Sequence, residues 1–197
     1  MSKTDPAAAK KERNKQIRWV ITIFFVTIVV SGLISLISDE VMERSGMVTA
    51  FLILLGIIFI GIIFDIVGMA VATADEKPFH AMAARKVPGA KASIALLRNA
   101  ERVSSICNDV VGDICGVVSG SASATIAGQV LANFEFSWPD VVTLGLSALV
   151  AGLTVGGKAV GKNIAVSSAT QIVHGVGRII YFLNNIPDMF RKNKKKR

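Results

Sequence analysis

Long apolar runs separated by short polar segments dominate this chain. Two of them, residues 19–37 and 47–73, are mostly apolar and long enough to cross a lipid bilayer as helices. Two more, residues 103–131 and 141–157, are less uniform, because the third contains acidic residues and the fourth is short and rich in glycine. The pattern predicts an all-α polytopic membrane protein with about four transmembrane helices.

The segments between and after these runs carry helical patterns of their own. Residues 76–100 predict a juxtamembrane helical hairpin, since Val87, Pro88 and Gly89 read as a terminator between two short helical arms. Apolar residues at helical spacing predict a C-terminal surface helix over about 164–186. We therefore divide the chain into a basic N-terminus (1–18), a transmembrane domain (19–186) and a basic tail (187–197).

Composition and charge agree with a membrane protein and predict its orientation. Hydrophobic residues make up 52% of the chain, the mean hydropathy is +0.56 and the net charge is +8. Lysine and arginine concentrate in the N-terminus, the hairpin and the tail, and such segments usually lie in the cytoplasm. The two short loops between the spans are then outside; the first contains Asp39, Glu40, Glu43 and Arg44, and the second contains Glu135 and Asp140. We expect a plasma or bacterial inner membrane protein with both termini cytoplasmic, the cations facing anionic lipid headgroups and no role in nucleic-acid binding.

Four charged residues interrupt the apolar runs: Asp65, Asp109, Asp113 and Lys158. An ionised side chain at bilayer depth costs at least ~2.5 kcal/mol, so it usually faces a partner, a cavity or an ion. By helical rise, Asp65 lies ~15 Å from Asp75, and Asp109 and Asp113 lie ~10 and ~16 Å from Arg102. Asp109 and Asp113 are i, i+4 neighbours and share one helix face.

Asn108 stands beside these acids, and together they form a candidate metal site. Carboxylate and amide oxygens are hard ligands that suit Mg²⁺ or Ca²⁺. Three interpretations remain open: a structural ion pair with Lys158, a divalent-cation site, or a proton relay. The candidate ligands are Asp65, Asn108, Asp109 and Asp113, with Lys158 as counter-ion or gate.

Glycines also mark the third span, where Gly112, Gly116 and Gly120 repeat every four residues. This spacing places them on one helix face, where missing side chains allow close approach of another helix. The approaching helix belongs either to the same chain or to a second copy, and we expect a homodimer.

The remaining chemistry is sparse. Cys107 and Cys115 would lie ~12 Å apart along a helix, too far for a disulfide, so we expect structural thiols. No nucleophile and base are recognisably arranged, and only His80 and His174 are present as histidines. We expect neither an enzyme nor a cofactor, with Mg²⁺ as the candidate bound or transported ion.

The order of elements from about Gly61 to Leu183 resembles the transmembrane domain of the CNNM/CorC magnesium transporters. That order is a span ending in small residues, a surface hairpin, a polar span, a glycine-containing span and a further surface helix. The stretch 88–102 is similar to the family's surface helix and its entry into the next span. The resemblance implies magnesium transport or homeostasis and puts Asn108 near the family's ligand asparagine.

One departure from the family concerns Lys158. Residues 157–162 correspond to the family motif Gly, Glu, Ile, x, Pro, Lys, so Lys158 stands where the resemblance implies an acidic ligand. An ammonium there would repel a dication or take its place. The alternative is therefore a non-transporting scaffold or adaptor in which Lys158 replaces the bound cation. We expect no CBS nucleotide-sensing domains in this chain, and any such regulation would come from a separate protein.

Overall fold

A computed structural model describes residues 6–134 and 137–194. Within these ranges the chain is helical, with no strand. The helices are α1 (Pro6–Arg44), α2 (Met47–Thr73), α3 (Lys77–Ala84), α4 (Ala90–Arg98), α5 (Ala100–Ser105), a π-helical segment (Ile106–Gly112), α6 (Asp113–Asn133), α7 (Pro139–Ser167) and α8 (Ala169–Lys194).

Four helical stretches in the described residues are long and apolar enough to cross a membrane: Gln16–Met42, Met47–Thr73, Ala100–Asn133 and Pro139–Ser167. The third combines α5, the π-helical segment and α6. The predicted fold class is confirmed, and the protein is a multi-pass all-α membrane protein. The fourth stretch continues well past residue 157, and α8 begins only at Ala169.

The central helix of the bundle is α2, which packs against α6, α7 and the π-helical segment. Most apolar side chains of α1 point away from the protein, as expected for a helix that contacts lipid. Two apolar clusters lie at different levels of α2. One includes Leu54 and Ile58 with Ile126 of α6, and the other includes Val71 with Phe79 of α3 and Val173 of α8.

Helices α3, α4 and α8 form a layer at the end of the bundle where α2 ends and α5 begins. The turn between α3 and α4 contains two residues at positive φ, Lys86 (56°) and Gly89 (88°). Glycine adopts such a φ without a steric penalty, so Gly89 explains why the predicted break between the two helical arms lies here. Gly89 and Gly177 let α4 and α8 approach closely: a Cβ on Gly89 would lie 2.6 Å from the backbone nitrogen of Arg178. Ser93 fills this crossing and donates to the carbonyl of Val173 at 3.1 Å.

The first short loop predicted outside the membrane is helical in the structure. Asp39, Glu40, Glu43 and Arg44 belong to α1, which continues to Arg44. Glu40 and Arg44 form an ion pair one helical turn apart. Glu135 of the second short loop and Lys195, Lys196 and Arg197 of the basic tail lie outside the described residues.

The α4–α8 crossing predicts a difference between two glycines of the same helix. A methyl group on Gly177 would collide with Ser93 Oγ and the Gly89 carbonyl, whereas Gly175 faces open space. We expect Gly177→Ala to cost ~1–3 kcal/mol through overpacking and to lower the thermal unfolding midpoint in detergent. Gly175→Ala is the matched control and should unfold at or above the wild-type temperature. Equal midpoints for the two variants would contradict this packing.

Candidate functional site

Asp65 lies on the face of α2 that contacts the third span, and only 7% of its surface is exposed. Glycines flank it at i−4 and i+3 on the same face. A Cβ on Gly61 would lie 2.8 Å from Cys115 Cβ, and one on Gly68 would overlap the Asn108 side chain. These two glycines allow the close packing of α2 on the third span that buries the Asp65 carboxylate.

Opposite Asp65, the third span changes from α-helix to π-helix over Ile106–Gly112. In a π-helix each amide bonds to the carbonyl five residues earlier, and such wide turns occur frequently at functional sites. The two acids predicted to share one face of the third span, Asp109 and Asp113, lie within and directly after this segment.

Asp113 and Asp109 have different partners. Asp113 Oδ1 lies 3.8 Å from Lys158 Nζ of α7. The carboxylate of Asp109 accepts a hydrogen bond from Ser105 Oγ at 2.8 Å and lies in a cleft beside α1. The two acids therefore belong to two different sites.

Lys158 links three segments of the bundle. Its Nζ lies 3.8 Å from Asp65 Oδ1 and 3.8 Å from Asp113 Oδ1, and it donates to the Gly112 carbonyl at 3.4 Å. The Lys158 side chain is 22% exposed, whereas that of Asp113 is 70% exposed. We call Asp65, Asp113 and Lys158 the charged triad, which has one ammonium between two carboxylates.

Two glycines of α7 allow the close packing that positions Lys158. On α7, side chains at Gly157 and Gly161 would collide with Ile62 and Ile66 of α2. Close packing of α7 on α2 therefore brings Lys158 to the level of Asp65.

Two buried oxygen atoms near this level have no hydrogen-bond donor, Oδ2 of Asp65 and Oδ1 of Asn108. Asn108 lies against Gly68, one turn of α2 from Asp65. The structure thus brings Asp65, Asn108 and Asp113 to the interface of α2, α7 and the third span, while Asp109 faces elsewhere.

The charged triad already contains a cation. Its two carboxylates share an ammonium that already lies within ion-pair distance of both. Among the residues that the structure describes, no three His, Cys, Asp or Glu side chains are grouped so that they could hold a metal ion. Both cysteines are free thiols, Cys107 being buried and Cys115 half-buried.

Another polar contact, at the opposite end of the third span, was missed from the sequence. Ser121 donates its hydroxyl to the Asp39 carboxylate, at 3.1 and 3.0 Å from its two oxygens, and Thr125 lies 3.5 Å from one of them. Gln129 donates to the Met42 carbonyl at 2.7 Å. The signal in the sequence is the hydroxyl pair at i, i+4 on the third span, which attaches α6 to α1.

Comparison with known proteins found no matching family model, curated protein or solved structure. The class of the protein, an all-α multi-pass membrane protein, therefore rests on its sequence and fold.

The charged triad predicts a stability effect specific to one lysine. Lys158→Met leaves the buried Asp65 carboxylate without a counter-charge, which should cost ~3–5 kcal/mol. We expect a large drop in the thermal unfolding midpoint in detergent. The exposed Lys162 lies four residues later on α7, and Lys162→Met is the matched control, with little expected change.

The double variant Asp65→Asn, Lys158→Met separates charge from packing. Because the carboxylate is then neutral as well, it should unfold at a higher temperature than Lys158→Met alone. A Lys158→Met variant as stable as Lys162→Met would contradict the triad.

Proposed function

We propose that this protein is a non-transporting membrane scaffold or adaptor in which Lys158 permanently occupies the position of a bound cation. The observation that carries the proposal is the equal 3.8 Å distance from Lys158 Nζ to Asp65 Oδ1 and Asp113 Oδ1. An ammonium between two carboxylates supplies the charge that an ion would bring. It also repels a second cation, above all a divalent one.

The resemblance to the CNNM/CorC membrane domain supports the same proposal. Lys158 occupies the motif position at which that family has an acidic ligand, so the charge at this position is positive instead of negative. We infer a protein with this type of membrane domain, in a plasma or bacterial inner membrane with cytoplasmic termini. Its ion site then serves to stabilise the bundle.

Cation transport is the second candidate function, and the unpaired oxygens favour it. Oδ2 of Asp65 and Oδ1 of Asn108 are buried without a donor, and buried acceptors of this kind are rare in folded proteins. A cation that displaced Lys158 from Asp65 would find both oxygens available. Mg²⁺ is the candidate ion under this alternative.

Charge reversal at Lys158 distinguishes the two functions. We expect Lys158→Glu to create an acidic site next to Asp65 and Asp113, and therefore Mg²⁺-dependent thermal stabilisation of the purified protein. The wild-type protein and Lys158→Gln should show no shift over the same MgCl₂ range, with NaCl at matched ionic strength as the control.

Flux through proteoliposomes that contain a Mg²⁺ indicator completes this test. Wild-type protein should give no flux above empty vesicles. A Mg²⁺ flux that the wild-type protein shows and Asp65→Asn abolishes would contradict the scaffold function and support transport. If Lys158→Glu shows no response to Mg²⁺, the proposed relation of the triad to an ion site is wrong.

We also propose that the scaffold is a homodimer formed through α6. A Cβ on Gly116 or Gly120 would meet no atom of the same chain within 4 Å, so these glycines do not serve packing inside the protomer. They follow Asp113 at i+3 and i+7 on the same face, where the Asp113 side chain is largely exposed. A second copy would cover this face and remove a carboxylate from contact with lipid.

The dimer is tested by a bulky residue on this face. Gly120→Leu should reduce the dimer fraction measured by light scattering in detergent, because it prevents close helix approach. Gly32→Leu on α1, where a side chain also meets open space, is the matched control and should leave the fraction unchanged. A wild-type protein that is monomeric, or a Gly120→Leu dimer of wild-type strength, would contradict the proposal.

A further inference from the structure

A cleft of about 480 Å³ separates the first part of α1 from α5 and the π-helical segment. This volume lies in the range of small-molecule sites, ~300–1,000 Å³. The first and third spans begin at Gln16 and Ala100, and the cleft is lined by residues close after both starts. It therefore lies where the two spans enter the membrane and extends inward from there.

One wall of the cleft is apolar. Trp19, Val20 and Ile23 line it from α1, at spacings that place them on one helix face. Tryptophan is common at the membrane interface, where its ring lies at the level of the headgroups. An acyl chain that enters beside Trp19 would run along Val20 and Ile23 towards the middle of the bilayer.

The opposite wall is polar and carries charges of both signs. Glu101 and Arg102 lie at the entrance, and Asp109 lies about 10 Å further along the helix by its rise. The Arg102 guanidinium is 5.5 Å from the centroid of the Trp19 ring, so it bridges the two walls. Asp109 has Ser105 Oγ as a hydrogen-bond donor and can accept further hydrogen bonds.

We propose that this cleft binds a single-chain phospholipid with an amine headgroup, that is, a lysophosphatidylethanolamine. Its chemistry matches the charges on the polar wall. The primary ammonium meets the Glu101 carboxylate, the phosphate meets the Arg102 guanidinium, and the free glycerol hydroxyl, which lies deeper than the phosphate, donates to Asp109. The one acyl chain lies on the apolar wall.

Each polar contact excludes a related lipid. A choline headgroup has no N–H donor for Glu101, and a glycerol headgroup has no positive charge for it. A diacyl lipid lacks the free hydroxyl for Asp109 and has a second chain. This site is independent of the charged triad, because Asp109 has no contact with Lys158 among the ion pairs of the described residues.

The fluorescence of the two tryptophans measures lipid binding inside and outside the cleft. Trp19 lies in the cleft, whereas Trp138 precedes α7 and is 73% exposed. Trp138→Phe leaves Trp19 as the single fluorophore, and Trp19→Phe leaves Trp138. Lysolipids with brominated acyl chains quench a tryptophan that they contact, so titration in mixed micelles gives a separate binding curve for each position.

We expect brominated lysophosphatidylethanolamine to quench Trp19 at a concentration about tenfold lower than the choline lipid does, as one charge-assisted hydrogen bond allows. Quenching of Trp138 should be the same for both lipids. In the Trp138→Phe background, Glu101→Gln should abolish the preference for the amine, and Arg102→Gln should weaken binding of all phospholipids. Asp109→Asn should weaken the preference for lysolipid over diacyl lipid.

Asp140→Asn changes an exposed acid outside the cleft and is the matched control, with a quenching curve equal to that of its parent. Circular dichroism of every variant verifies the fold. Glu101→Gln alters an exposed side chain, so the test of amine preference does not depend on whether Asp109→Asn is stable. Equal quenching by the amine and choline lipids would overturn the proposal. Displacement of the lipid by millimolar MgCl₂ at constant ionic strength would also overturn it, and would assign the cleft to an inorganic cation.

Discussion

A carboxylate inside a bilayer is stable only where protein groups replace the water that it has lost, and Asp65 imposes this requirement on the bundle. It lies on the central helix between two apolar clusters, with 7% of its surface exposed. The ammonium of Lys158 provides the counter-charge at 3.8 Å. Because a lone buried charge costs several kcal/mol, the positions of α2, α7 and the third span are coupled through this contact.

Small residues allow the contact between Lys158 and Asp65 to form. Gly61 and Gly68 admit the third span to α2, and Gly157 and Gly161 admit α7. Helices in a membrane gain no hydrophobic energy by leaving lipid, so close packing between small residues is a main source of their association. The same glycines therefore hold the bundle together and bring the charges of the triad within reach of one another.

The two acids of the third span lie in different environments. Asp113 belongs to the charged triad, and Asp109 belongs to the cleft beside α1. Under the proposals made above, the first environment stabilises the bundle with a built-in cation, and the second recognises a lipid at the membrane interface.

Much of the fold could be predicted from the sequence, since the length and apolarity of a span are local properties that the bilayer itself demands. The all-α fold class and the four apolar helices are confirmed in this way. Asp39 was predicted to lie in a loop, but it belongs to α1, where the hydroxyls of Ser121 and Thr125 satisfy its carboxylate. That compensation comes from a helix more than 80 residues away in the chain, so no local pattern reveals it.

The candidate site, like the fold, could be predicted from the sequence only in part. The sequence alone identified the charged residues inside the spans and singled out Lys158, because a charge in an apolar run is costly wherever the run folds. Only the tertiary structure decided which charges meet. Asp113 meets Lys158 of α7 whereas Asp109 meets Ser105 and the cleft beside α1, and glycine contacts between distant segments set the approach of Lys158 to Asp65. Both depend on how three helices pack together, and one-dimensional spacing does not contain that information.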